Sequence, residues 1–96
     1  MQIPSEVMVA GIVYKVDEVS GLHDKHELLG QILYVPCTIE INAESSKERK
    51  EQTFIHELTH AIFLEAGIEE QDEDMINRVG KVLYQVLKDN SFDFKS

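Results

Sequence analysis

The sequence lacks several residue types and patterns that whole classes of protein require. Its 96 residues include no tryptophan and one cysteine, Cys37. A single cysteine excludes a disulfide within the chain and suits a reducing compartment. No apolar run approaches the ~20 residues that a membrane-spanning helix needs, and the N-terminus has no signal-peptide pattern. We therefore expect a cytoplasmic protein that is not associated with a membrane.

Positive charge is also scarce. Nine lysines and arginines stand against 18 aspartates and glutamates, which gives a formal net charge of -9. Such a chain repels the phosphate backbone of nucleic acids and attracts cations, so we expect no nucleic-acid partner. A length of 96 residues suits one small domain, and we predict that residues 1–96 form a single domain.

The hydrophobic pattern changes character near residue 43. Residues 6–19 alternate imperfectly, which indicates either a strand with a bulge or a tight hairpin around Ala10 and Gly11. Two further short alternating runs, 30–35 and 38–42, flank Pro36 and Cys37 and predict a second hairpin. Residues 1–43 are therefore predicted to form strands and a hairpin in a small antiparallel sheet. The run 38–42 is a candidate open edge for binding a peptide.

Two helices are predicted after this sheet. The first spans residues 45–67, because Ser45 and Glu48 have capping-box spacing and Gly67 is a typical helix stop. The second spans residues 70–89, with an acidic first turn that the helix dipole favours. Its predicted apolar stripe consists of Met75, Ile76, Val79, Val82, Leu83, Val86 and Leu87. The fold class is α+β.

Residues 56–60 read His-Glu-Leu-Thr-His, an H-E-x-x-H motif in the middle of the first helix. Two histidines four residues apart share one helix face and can bind the same zinc ion. Glu57 is then placed to act as general base toward a metal-activated water. The alternative is that these are surface residues of an amphipathic helix. Their position beside the apolar Ile55 and Ala61 favours the metal site.

Catalytic zinc usually has three protein ligands, so a third ligand is needed. The acidic start of the second helix can supply it if that helix packs antiparallel to the first. The candidates are Glu70, Asp72, Glu73 and Asp74. Glu73 is favoured, because it lies three residues before Ile76 and six before Val79 on the inward stripe. The same donor set also accepts iron or nickel.

These residues resemble the ImmA/IrrE-type zinc metallopeptidases, and most closely their minimal versions carried by phages and prophages. The resemblance rests on residues 56–60, on Glu73 and Asn77 in the second helix, and on the hairpin of residues 30–41. It implies a zincin-like domain of the gluzincin type, in which His56, His60 and Glu73 bind zinc and Glu57 is catalytic. Members of the family are implied to cleave regulatory proteins.

We therefore predict zinc-dependent hydrolysis of a peptide or protein substrate. One alternative is a non-catalytic zinc-binding accessory or regulatory protein of a phage or prophage. Another is a zinc hydrolase that acts on a non-peptide bond. Weaker candidate residues are His23 and His26 as a second metal pair, Cys37 as a ligand, and Tyr34 or Tyr84 as an oxyanion donor.

Overall fold

Four strands and two helices make up the fold of the computed structural model, which describes residues 2–22 and 29–94. The strands are β1 (Glu6–Val9), β2 (Ile12–Val19), β3 (Gly30–Leu33) and β4 (Thr38–Asn42). The helices are α1 (Lys47–Glu65) and α2 (Glu73–Asp89). The predicted α+β class, a small sheet followed by two packed helices, is confirmed. Neither helix of the described ranges is long and apolar enough to cross a membrane.

The first two strands form a tight hairpin. Ala10 and Gly11 connect β1 to β2, and both have positive φ, 51° and 81°. Positive φ at both turn residues is the type I′ pattern, whose twist matches that of the flanking strands. Of the two arrangements that the sequence allowed, the hairpin is therefore the right one.

The sheet is mixed, whereas the sequence predicted an antiparallel one. Its strand order is β1-β2-β4-β3. The β1–β2 and β3–β4 pairs are antiparallel, as expected for hairpins, but β2 and β4 pair in parallel. β4 is therefore an interior strand, with hydrogen bonds along both of its edges. Its side chains Ile39 and Ile41 are fully buried. The prediction that residues 38–42 form an open edge is wrong, and β3 is the edge strand on this side.

One face of the sheet packs against α1 to form the core. The alternation of β2 and β4 turns their apolar side chains to the same face, and the apolar stripe of α1 covers them. The buried members are Val9, Tyr14, Val16, Ile39, Ile41, Phe54, Ile55, Leu58 and Ala61. His56 and His60 border this stripe, so the core fixes the face of α1 that carries the motif.

The first helix starts one residue later than its predicted cap. Ser46 is the N-cap, and its hydroxyl accepts a hydrogen bond from the backbone N–H of Arg49 at 3.2 Å. Ser45 belongs instead to the turn after β4, because its N–H donates to the carbonyl of Asn42 at 3.2 Å. At the other end Gly67 has φ 83°, the left-handed conformation predicted for the residue after the helix.

The second helix begins at Glu73, three residues later than predicted. Asp72 caps it, with a side-chain oxygen 3.1 Å from the backbone N–H of Asp74. α2 packs mainly against α1 and not against the sheet. Only one residue of its predicted apolar stripe, Ile76, is fully buried, while Met75 is 49% and Val82 60% exposed.

Glycine allows the two helices to approach closely near the motif. A Cβ atom on Gly80 would lie 3.2 Å from the hydroxyl oxygen of Thr59 and 3.8 Å from Cα of His56. Further along, the hydroxyl of Tyr84 donates to a carboxylate oxygen of Glu51 at 2.8 Å. These contacts hold α2 antiparallel to α1 and bring its first turn to the histidines.

Candidate metal centre

The two motif histidines lie side by side on α1. Their ring centroids are 5.0 Å apart, and the rings are inclined by 72°. Both side chains are partly buried, with 28% of His56 and 12% of His60 exposed. The spacing of four residues thus places two imidazoles at one point on the edge of the core, as predicted.

The carboxylate of Glu73 reaches both histidines. One of its oxygens lies 2.8 Å from Nε2 of His60, and the other lies 3.3 Å from Nε2 of His56. These three side chains offer ligand atoms that all lie within 4.8 Å of one another. The structure therefore brings together the three residues that the sequence favoured.

The other acidic candidates have different places. Asp72 caps α2, and Asp74 lies 3.8 Å from the guanidinium of Arg78 in an exposed ion pair. Glu70 is exposed in the segment between the helices. None of the three belongs to the cluster of His56, His60 and Glu73.

The donor set fits zinc. Two imidazole nitrogens and one carboxylate oxygen match a common class of catalytic zinc site, and ligand atoms around a tetrahedral zinc ion lie ~3.3 Å apart. The two measured distances between Glu73 and the histidines are close to that separation. Burial lowers the pKa of His56, against the raising effect of Glu73. A lowered pKa keeps the imidazole neutral, which is the form that binds metal.

Glu57 has the surroundings of a general base. Its side chain is buried, yet it lines a cavity that also reaches His56. Burial raises the pKa of Glu57 to about 7, and the charge of Glu73 adds to this while His60 opposes it. In residues 2–22 and 29–94, none of the side-chain hydrogen bonds or ion pairs involves this carboxylate. A carboxylate that faces a cavity without a bound partner is free to accept a proton there.

Gln71 orients His60, a role that the sequence analysis did not predict. Its side-chain carbonyl oxygen lies 2.6 Å from Nδ1 of His60 and accepts a second hydrogen bond, at 3.1 Å, from the hydroxyl of Tyr34. Because this oxygen only accepts, Nδ1 carries the proton, and Nε2 is left as the metal-binding nitrogen. One hint of this role is present in the sequence: Gln71 is the single amide in the otherwise acidic run of residues 69–74.

We expect Gln71→Ala to weaken zinc binding by about tenfold, since outer partners of ligating histidines contribute on this scale. Gln71→Glu keeps an acceptor oxygen in the same place and should retain most of the affinity. Competition with a chromophoric chelator measures both dissociation constants. Equal affinity of Gln71→Ala and the unsubstituted protein would contradict the orienting role.

A cavity of about 570 Å³ extends from His56 between α1, α2 and the start of β3. α1 contributes residues at positions 49, 52, 53, 56 and 57, which is one helical stripe, and α2 contributes 77, 80, 81 and 84, which is another. Leu29 and Gly30 close the third side. Asn77, which the resemblance matched to the family, thus lies beside the metal centre.

The remaining candidates of the described ranges are not part of the cluster of His56, His60 and Glu73. His23 and His26 fall outside the described residues. Cys37 is in the β3–β4 turn, with its sulfur 3.4 Å from the carbonyl oxygen of Tyr34, and is not part of the metal cluster. The hydroxyl of Tyr84 is bonded to Glu51. Tyr34 is the tyrosine linked to the centre, through Gln71.

Comparison with known proteins identifies the family of the chain. No curated protein and no solved structure shows significant similarity to the chain. The sequence does match the IrrE N-terminal-like domain, a peptidase family, over residues 14–82. That range includes most of β2, all of β3 and β4, α1 with its motif, and Glu73. Because the match covers well over half of the chain, the protein belongs to the IrrE N-terminal-like domain family of peptidases, as its motifs predicted.

Proposed function

We propose that the protein is a zinc-dependent peptidase in which His56, His60 and Glu73 hold the metal and Glu57 is the general base. One observation carries the proposal. The carboxylate of Glu73, from α2, lies against Nε2 of both motif histidines of α1. Three ligands from two packed helices are the set that catalytic zinc uses when its remaining position serves water or substrate.

Bound zinc would supply an activated water and polarise the scissile carbonyl. The part of Glu57 is to take the proton from that water and deliver it to the leaving amine. The charge of a nearby dication lowers the pKa of a carboxyl group, so Glu57 would be ionised and ready to accept a proton when the site is loaded. Its side chain is mostly buried, but it lines the cavity, where a water molecule can reach the carboxylate.

The substrate that we propose is an extended segment of a peptide or protein, such as a regulatory protein. β3 is at the edge of the described sheet, and its first residue, Gly30, lines the cavity next to Glu57. A Cβ atom on Gly30 would overlap the methyl group of Thr53 and lie 3.0 Å from the carbonyl oxygen of Glu40. Glycine therefore lets the edge strand pass close to α1, where a peptide added to the sheet would meet the metal centre.

Cleavage of a peptide mixture tests this function. Zinc-loaded protein is incubated with a lysine-specific digest of a proteome, and new peptide ends are identified by mass spectrometry. We expect cuts that disappear with a chelator and return with added zinc. His60→Ala, purified in the same way, controls for contaminating proteases. Binding of one zinc per chain without any cleavage would contradict the proposal and favour a non-catalytic zinc protein.

A further inference from the structure

The cavity beside the metal centre carries two positive side chains whose role the peptidase chemistry does not explain. Arg49 lines it from α1 and Lys81 from α2, in the same cavity as His56 and Glu57. We propose that Arg49 and Lys81 bind a carboxylate of the substrate, two or three residues from the bond that is cut. This inference rests on the proposed peptidase function and names its substrate class.

Among the described residues, neither of the two charges forms an ion pair, although negative charge dominates the chain. Eighteen acidic residues outnumber nine basic ones, and two other basic residues of the helices, Lys50 and Arg78, do pair with carboxylates. Lys50 lies 2.6 Å from Glu18, and Arg78 lies 3.8 Å from Asp74. In the described part of the chain, by contrast, no carboxylate lies within 4 Å of the charged groups of Arg49 or Lys81. Both groups are therefore available to an anion in the cavity.

The position of the pair sets the distance to the reacting bond. Arg49 lies seven residues before His56, which corresponds to ~10 Å along the helix axis. Lys81 follows Gly80, which lies against His56, and precedes Tyr84, which lies against Glu51. It therefore lies between the metal centre and the level of Arg49. An extended peptide advances ~3.3 Å per residue, so this stretch corresponds to two or three substrate residues.

The far wall of the cavity is held in place. The hydroxyl of Tyr84 donates to Glu51, which is buried, and the ammonium group of Lys88 lies 5.3 Å from the centre of the Tyr84 ring. The carboxylate of Glu51 thus accepts a hydrogen bond from Tyr84, and within the described ranges it forms no ion pair with Arg49 or Lys81. A carboxylate from the substrate is the ligand that complements the two cations, because arginine and lysine bind such groups through charged hydrogen bonds.

Two substrate groups have this chemistry: the side chain of Asp or Glu, and a free C-terminus. Binding separates them without any need for turnover. The protein used is the zinc-loaded Glu57→Gln variant, which should bind without cutting. The probes are fluorescein-labelled, amidated alanine octapeptides with one Glu or one Gln at each position, and an all-alanine octapeptide with a free C-terminus.

We expect one Glu position to bind about tenfold more tightly than its Gln counterpart, a typical effect of a charged hydrogen bond. Tighter binding of the free C-terminus alone would assign the site to a terminal carboxylate. Introducing Arg49→Gln and Lys81→Gln into the Glu57→Gln protein should remove this difference in affinity between the probes. Lys15→Gln with Lys47→Gln is the matched control, because it changes the net charge equally at exposed residues outside the cavity. Equal binding of all probes, or a preference that survives in the Arg49 and Lys81 variant, would overturn the proposal.

Cleavage gives an independent readout. In the digest cut by the unsubstituted protein, Asp or Glu should be enriched at one position two or three residues from the cut. Reversal of both charges, Arg49→Glu with Lys81→Glu, should replace this preference by one for Lys or Arg while zinc content stays the same. If the protein cuts peptides but shows no preference for Asp or Glu, or a preference that the variants leave unchanged, the carboxylate site alone is refuted. If it cuts no peptide at all, the peptidase function is refuted.

Discussion

Replacing His60 with alanine is expected to abolish stoichiometric zinc binding. His60 is the less exposed of the two histidines, and its Nε2 atom lies 2.8 Å from Glu73. The loss should exceed the ~10–100-fold typical of outer partners of a metal site, because a ligand itself is removed. Glu73→Ala should have the same effect. Elemental analysis after dialysis against a metal-free buffer measures the zinc content of each variant.

Neighbouring acidic residues provide matched controls for Glu73. Asp74→Ala and Glu70→Ala remove the same charge from positions that do not reach the histidines, and both variants should keep one zinc per chain. Zinc should also raise the melting temperature of the unsubstituted protein and of these controls, because a ligand that binds the folded state stabilises it. Zinc retained in Glu73→Ala but lost in either control would show that the third ligand is assigned wrongly.

Glu57→Gln is expected to lower turnover by about 10²–10⁴-fold while zinc content stays at one per chain. The amide has the shape of the carboxylate but cannot accept a proton, and general base catalysis contributes about 10²–10⁴-fold. Peptide cleavage at matched enzyme concentration, followed by mass spectrometry, measures the loss.

Glu65→Gln is a useful comparison for this variant. Glu65 lies on the same helix, where its carboxylate accepts a hydrogen bond from Tyr14 at 2.6 Å, and it does not line the metal cavity. The same change of charge should therefore leave turnover within a few-fold of normal. A Glu57→Gln variant that contains zinc and cuts at the normal rate would rule out Glu57 as the base.

The meeting of His56, His60 and Glu73 was largely predictable, because helix geometry determines most of it. Two histidines four residues apart must share a face in any α-helix, and the apolar neighbours of His56 and His60 indicated which face. The spacing of Glu73 to Ile76, which is fully buried, favoured it among the four acidic candidates. These predictions needed only the helical period and an antiparallel turn at Gly67.

The parts that the sequence did not predict depend on contacts between distant segments. Nothing local to residues 38–42 indicates that β4 lies between β2 and β3, because strand order is set by the packing of the whole sheet. Gln71 lies in the segment between the helices, so its contact with His60 depends on the path of that segment. Arg49 and Lys81 are 32 positions apart, and only the packing of α2 on α1 brings them to one cavity.

The most direct test of the account is X-ray absorption at the zinc edge, measured on protein loaded with one equivalent of zinc. The account predicts two imidazole ligands per zinc, from His56 and His60, with oxygen ligands completing the shell. A sulfur ligand at ~2.3 Å, which would implicate Cys37, is readily distinguished from nitrogen and oxygen at ~2.0–2.1 Å. A sulfur ligand, a third imidazole or no bound zinc would contradict the site described for His56, His60 and Glu73.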